Sequence, residues 1–169
     1  MATLNNTVAM LAAVSVLLGI MVIDCAYDVP VLQALEWNLF PSPTASQAAL
    51  SIPAVGTMTS YYAHVTKAWF VGAAIISSIA VLAIGAIYRV AVIGGGRAWV
   101  LLLGLLVAAP YFVLVMGPSE HAVGSATQAD IMGHILNILR GRVIIVALCV
   151  FAFGLLASAP AAASKKKQQ

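Results

Sequence analysis

The chain has 169 residues, 63% of them hydrophobic and 8% charged, with a formal net charge of +3 and a mean hydropathy of +1.05. So few charges cannot cover a water-exposed surface, which excludes a soluble domain and indicates an integral membrane protein in contact with a lipid bilayer. The small positive charge follows from the placement of helix ends, and no nucleic-acid partner is expected.

Four apolar stretches are long enough to cross a hydrocarbon core, which takes roughly 20 helical residues. The expected spans are about 8–27, 67–89, 97–117 and 130–159, within one membrane domain over 1–164, followed by a basic tail at 165–169. The fold class is therefore all-α, a four-helix membrane bundle.

Span one is apolar from Val8 to Ile23. It has no basic residue before it, since the first Lys or Arg is Lys67, and "IDCAYD" is a poor cleavage site, so it reads as a retained span. Asp24 and Asp28 are spaced i, i+4 on one face of its end. Carboxylates at membrane depth are costly and functional by default. Two roles stay open: pairing with Arg140 or Arg142, or contact with a substrate, for which Asp28 is the candidate. Cys25 and Cys149 fall at different depths, and neither a disulfide nor a thiolate metal site is implied.

The segment from Val29 to Thr66 is too apolar for a floppy loop. It is expected to form a partly helical cap over the bundle, with Trp37, Phe40, Tyr61 and Tyr62 at interfacial depth and a pocket beneath, bounded by spans one, three and four. In span two, Gly72, Ala73 and Ser77 read as helix-packing positions. The turn "AVIGGGRAW" is short and makes spans two and three antiparallel neighbours.

Span four carries the most polar information. Asp130, His134 and Asn137 are spaced i, i+4, i+7 and form one stripe, with Arg140 on its flank and Arg142 further round. Arg140 and Arg142 also read as snorkelling anchors. With four spans, Arg89, Arg97 and Lys165 to Lys167 share one side, which the positive-inside rule makes cytosolic, as are both termini. Every carboxylate and all three histidines map to the opposite side. The closing Lys166-Lys167-Gln168-Gln169 has the form of a di-lysine retrieval signal, which places the protein in the endoplasmic reticulum and the polar face in its lumen; a plain basic stop is the alternative.

"PYFVLVMGPSEHAV", followed by "ILNILRGRVIIVALCVFAFGLL", resembles the second half of the anthrone-oxygenase-like family of small four-span membrane proteins. Pro110, Tyr111, Met116, Pro118, Leu136, Asn137 and Arg140 match its motif positions. Phe112 and Ser119-Glu120-His121 depart from it, and His134 lies near a position usually held by Trp. The resemblance implies oxidation of a flat phenolic anthrone by molecular oxygen without an organic cofactor. His134 or His121 would act as base, Asn137 and Arg140 would orient an oxygen atom, and Tyr111, Asp28 and Trp37 would contact a small apolar aromatic substrate.

His64, His121 and His134 come from three segments that converge in this topology. Imidazole suits copper, iron or zinc, so a transition metal held by these histidines is the cofactor to look for, with hydrated interfacial histidines as the alternative. Two other classes remain open: a non-catalytic subunit or assembly factor of a membrane complex, with a homo-oligomer among its forms, and a lipid or sterol binder.

Overall fold

Helix α1 (Ala2–Ala34) sets the frame. Pro30 withholds the N–H that would bond the carbonyl one turn back, a defect that ends many helices. Here Val31 and Leu35 beyond it are buried, and their packing holds the last turn in helical form. The segment 29–34, expected in the cap, is therefore a continuation of span one. The helix ends in a Schellman-type cap, with the Glu36 N–H on the Gln33 carbonyl at 3.0 Å and the Trp37 N–H on the Leu32 carbonyl at 2.7 Å. Glu36 (φ 52°) and Trp37 (φ 60°) lie in the left-handed region that glycine usually fills, at about 1–2 kcal/mol per residue.

The computed structural model describes residues 2–93 and 96–157, with the side chains of 2–4, 69, 93, 97 and 129 excepted. The expected basic tail and the last residues of span four, with Lys165 to Lys167, lie outside the described residues. After α1 come two short cap helices, α2 (Pro43–Ala49) and α3 (Pro53–Val65), each with proline in its first turn. The Ser42 hydroxyl caps α2 by accepting the Ala45 N–H at 3.3 Å. The second span is α4 (Trp69–Ile93).

The third span is composite. Helix α5 (Gly96–Tyr111) passes into a π-helical turn at Phe112–Met116 and then into α6 (Gly117–Ala122). Pro110 and Pro118 flank this turn, and neither supplies an N–H, so the backbone ladder is free to widen between them. The Gly117 N–H closes the wide turn on the Phe112 carbonyl. The turn shifts the register of α6, and it is Ser119 and Glu120 that meet the fourth span, α7 (Gln128–Ala157).

Among the described residues the fold is all-α. Four helices are long and apolar enough to cross a membrane: Asn5–Ala34, Phe70–Val92, Ala98–Ala122 and Asp130–Ala157. Helices α1 and α5 each pack against α4 and α7, so the spans form a ring in the order α1, α4, α5, α7, while α3 lies on α1 and α6. Val22, Ile84, Val107, Leu114 and Val150 are among the large apolar side chains left on the outside. In water such a surface would drive association; in lipid it is solvated.

Hydrophobic burial gives little drive between helices inside a bilayer, so close packing must hold them. The glycines that permit it are not the expected ones. Gly72 has open space around it and Ser77 is exposed, whereas Gly85 lies against Met10 and Asn6, and Gly141 against Met116. Two cores result. One, in the body of the bundle, is built around Met10, Val14, Leu17, Leu82, Leu105, Ile145 and Cys149. The other, under the cap, is built around Val31, Leu35, Met58, Tyr62, Ile135 and Leu139. Between the helices of the first is an apolar cavity of about 20 Å³, scarcely more than one water occupies.

The loop after α6 touches α3 where a Cβ on Gly124 would lie 2.7 Å from the Ala63 Cβ and 3.2 Å from its Cα, an approach the backbone must yield to relieve. Gly124→Ala is expected to lower stability in detergent by about 1–3 kcal/mol. Gly19→Ala, where nothing stands within 4 Å, is expected to be neutral or stabilising; thermal unfolding of the two variants side by side checks this.

Candidate functional site

Arg142 lies about 22 Å of helix from Ala157, within the reach of a hydrocarbon core about 30 Å thick. It is 6% exposed. A guanidinium at that depth has to be neutralised by fixed partners, and three segments supply them. Its Nη1 donates to Asp24 Oδ2 on α1, and its Nη2 donates to Glu120 Oε1 on α6 at 2.7 Å. Met21 Sδ is 3.7 Å from Nη1, and the Tyr62 ring centroid on α3 is 5.6 Å from the guanidinium carbon.

The carboxylates are held in turn by phenols. The Tyr61 hydroxyl donates to Asp24 Oδ1 at 2.7 Å, and the Tyr62 hydroxyl donates to Asp28 Oδ1 at 2.9 Å. Tyr27 stacks on Tyr61 with centroids 3.7 Å apart and planes 10° from parallel. Adjacent tyrosines on α3 thus serve aspartates one turn apart on α1, because the i, i+4 spacing puts Asp24 and Asp28 on one face. Asp24 is 2% and Asp28 4% exposed.

Of the residues expected to form a site, several are placed elsewhere. Trp37 is 62% exposed in the turn after α1, away from the cluster that holds Asp28. Arg140 donates from Nε to the Leu39 carbonyl at 2.9 Å, with its guanidinium 4.4 Å above the Phe40 ring, and so fastens the loop between α1 and α2 to α7. His64 is exposed, with Nδ1 2.7 Å from the Ser60 carbonyl, and His121 is exposed at the end of α6.

The three-histidine metal centre is not assembled: the described residues contain no group of three or more His, Cys, Asp or Glu placed to hold a metal ion. Helix geometry gives the reason. His64 is two positions from Tyr62 on α3, nearly half a turn round, and His121 is one position past Glu120, so neither shares the inward face. The segments converge as expected, but the imidazoles do not. Beneath α3 the space expected to be a pocket is filled by Tyr61, Tyr62, Met58 and the ion cluster, and the pocket found at the cap, of about 710 Å³, lies instead between α2 and the start of α7, lined by Ser46, Gln47, Leu50, Met132 and Leu136.

A second polar junction does join expected residues. The Tyr111 hydroxyl donates to the Asn137 carbonyl at 3.0 Å, and the Asn137 side-chain amide donates to Ser119 Oγ at 3.2 Å. Tyr111 also lines an apolar groove of about 710 Å³ between α5 and α7, together with Leu103, Val107, Ile144, Leu148 and Phe151. On α7 the stripe Phe151, Leu148, Ile144 continues at spacings of three and four through Gly141, Asn137 and His134. His134 is half-buried, and its Nδ1 is buried with no hydrogen-bond partner.

Two features define the protein's class as far as the fold and site carry it: a four-span helical chain fit for a membrane, with an ion cluster buried at its capped end. Compared with known proteins, the chain matches no family model, no curated protein and no solved structure.

Pairing of Asp24 with Arg142 was among the open sequence readings and is what the structure shows, whereas Glu120 and Tyr62 as parts of one cluster centred on Arg142 were missed. One signal was available: Arg142 is followed by an apolar run, and Asp24 is the deepest acid on a neighbouring span. Burial, followed by the bond and charge of Asp24, raises the Tyr61 hydroxyl well above the ordinary phenol range; burial raises Tyr62 too, with Asp28 and Asp24 adding to it against the opposing charge of Arg142. Both therefore remain neutral donors. Because their folded values exceed the unfolded value of about 10, their contribution to stability is complete below that pH and fades as pH rises through the folded values. Phenolate absorbance at about pH 10 is expected to be unchanged by Tyr61→Phe or Tyr62→Phe; a loss of signal in either variant would contradict it.

Proposed function

We propose that the protein is a membrane oxidoreductase that takes a flat, phenolic, lipid-soluble substrate of the anthrone type from the bilayer and oxidises it with molecular oxygen. One observation carries this reading. Tyr111 and Asn137, from the two motif elements of the family that the sequence resembles, meet at the head of an apolar groove of about 710 Å³. Such a groove suits a ligand that is mostly apolar with a few oxygen atoms at one edge.

The chemistry asks for a base, an oxygen donor contact and exclusion of water. An anthrone methylene is acidified by its conjugated carbonyl. His134, with an unpartnered Nδ1, would take its proton. The Tyr111 hydroxyl and the Asn137 amide would turn toward the developing phenolate oxygen. The carbanion reduces oxygen directly. The methylene carbon gives up both hydrogens and gains one oxygen atom, while the other oxygen leaves with those hydrogens as water, so no further reductant is required.

Asp28, Trp37 and Arg140 have no part in this version of the site, and His121 is not needed as base. The capped end would be lumenal and both termini cytosolic in the endoplasmic reticulum, an orientation supported by the basic residues at the opposite helix ends.

Oxygen uptake by the purified protein with an anthrone tests the reaction. Wild type is expected to consume one oxygen per anthrone, with His134→Ala slower by about 100-fold or more and Tyr111→Phe also impaired. No uptake above the buffer rate, or an unaffected His134→Ala, would overturn it. Binding of the anthrone without conversion would support a lipid-binding protein that uses the same groove.

A further inference from the structure

The ion cluster is short of positive charge. It contains Asp24, Asp28 and Glu120 and a single cation, Arg142, and the only ion pairs among the described residues are those of Arg142 with Asp24 and with Glu120. Asp28 is as buried as its neighbours, and the bond shown for it comes from the Tyr62 hydroxyl. An unpaired carboxylate in such a place is among the most costly groups a membrane protein can hold.

A second observation points the same way. Arg142 Nε is buried without a hydrogen-bond partner. A charged Asp28 one turn above Asp24 would compete for that spare N–H, since charge-assisted bonds to guanidinium are stronger than bonds between neutral groups. Instead the donor is left unused and Asp28 faces a neutral phenol. Both facts are accounted for if Asp28 carries no charge.

We propose that Asp28 is a proton-binding site within the membrane, a neutral carboxylic acid standing beside a cluster in which Asp24 and Glu120 are ionised against Arg142. The groups that face it are Asp24 on its own helix, Tyr61 and Tyr62 on α3, Glu120 with the adjacent His121 on α6, and Arg142 on α7. Glu120 has the most exposed side chain of the cluster's charged groups, at 19%, and so offers the route by which the proton exchanges with the capped end. The site does not depend on the oxidoreductase reading and would serve any reaction or transport step that moves a proton at this depth.

Infrared spectroscopy of the full-length protein in lipid tests it, because a protonated carboxyl has a carbonyl band, shifted by deuterium exchange, that a carboxylate lacks. At mildly acidic pH wild type is expected to show one such band, which weakens as the pH is raised. Asp28→Asn should abolish it, and Tyr62→Phe, which removes the donor and keeps the acid, should move it to higher wavenumber. Absence of the band from wild type, or its survival in Asp28→Asn, would overturn the proposal. If Asp28→Asn does not fold, a band unmoved by Tyr62→Phe would do the same.

Discussion

One arginine governs how the capped end is built. Arg142 is buried where α7 passes into its apolar run from Val143 to Ala157, and a guanidinium there is tolerable only if fixed acceptors meet it. Asp24 and Glu120 come from α1 and from the end of the third span, so satisfying one charge fixes the relation of three segments. Tyr61 and Tyr62 then dock α3 on the carboxylates of α1, and the cap closes over the bundle. The cap is positioned by polar geometry, while the body of the bundle is positioned by shape, with Gly85 and Gly141 admitting Met10 and Met116.

The same constraint accounts for the composite third span. A regular helix through Pro110 and Pro118 would present a different set of residues to α7; the π-helical turn between them supplies the shift that brings Glu120 to Arg142 and Ser119 to Asn137. The junction of Tyr111, Asn137 and Ser119 is therefore adjacent in register to the ion cluster, and the proposed chemistry and the proposed proton site share one end of the protein. Arg140, two residues before Arg142, points to the opposite task of holding the Leu39–Phe40 loop.

The four spans and their all-α class were legible in the sequence because length and hydropathy are summed over many residues and survive local errors. The boundaries were less so. Pro30 argues for a stop that the packing of Val31 and Leu35 overrides, and the Schellman-type cap at Glu36 and Trp37 lacks the glycine that would have announced it. For the site, the sequence correctly gathered the polar residues at one end, and pairing of Asp24 with Arg142 was one of the open readings. Which polar residue meets which depends on rotation about each helix, where one position is about 100°, and a π-helical turn resets that rotation without a clear signature. That is why His64 and His121 fall on outer faces while Tyr62, expected at the interface, is fully buried.

The most direct test of Arg142 as the organising charge is a double-mutant cycle with Arg142→Gln and Asp24→Asn, read as unfolding free energy in detergent. Each single substitution is expected to cost about 3–5 kcal/mol, because it strands a buried charge. The double variant should be much less destabilised than the sum, giving a coupling above about 1 kcal/mol. Single effects below about 1 kcal/mol that simply add would contradict the account, since they would mean that Arg142 and Asp24 reach solvent independently and do not join the helices.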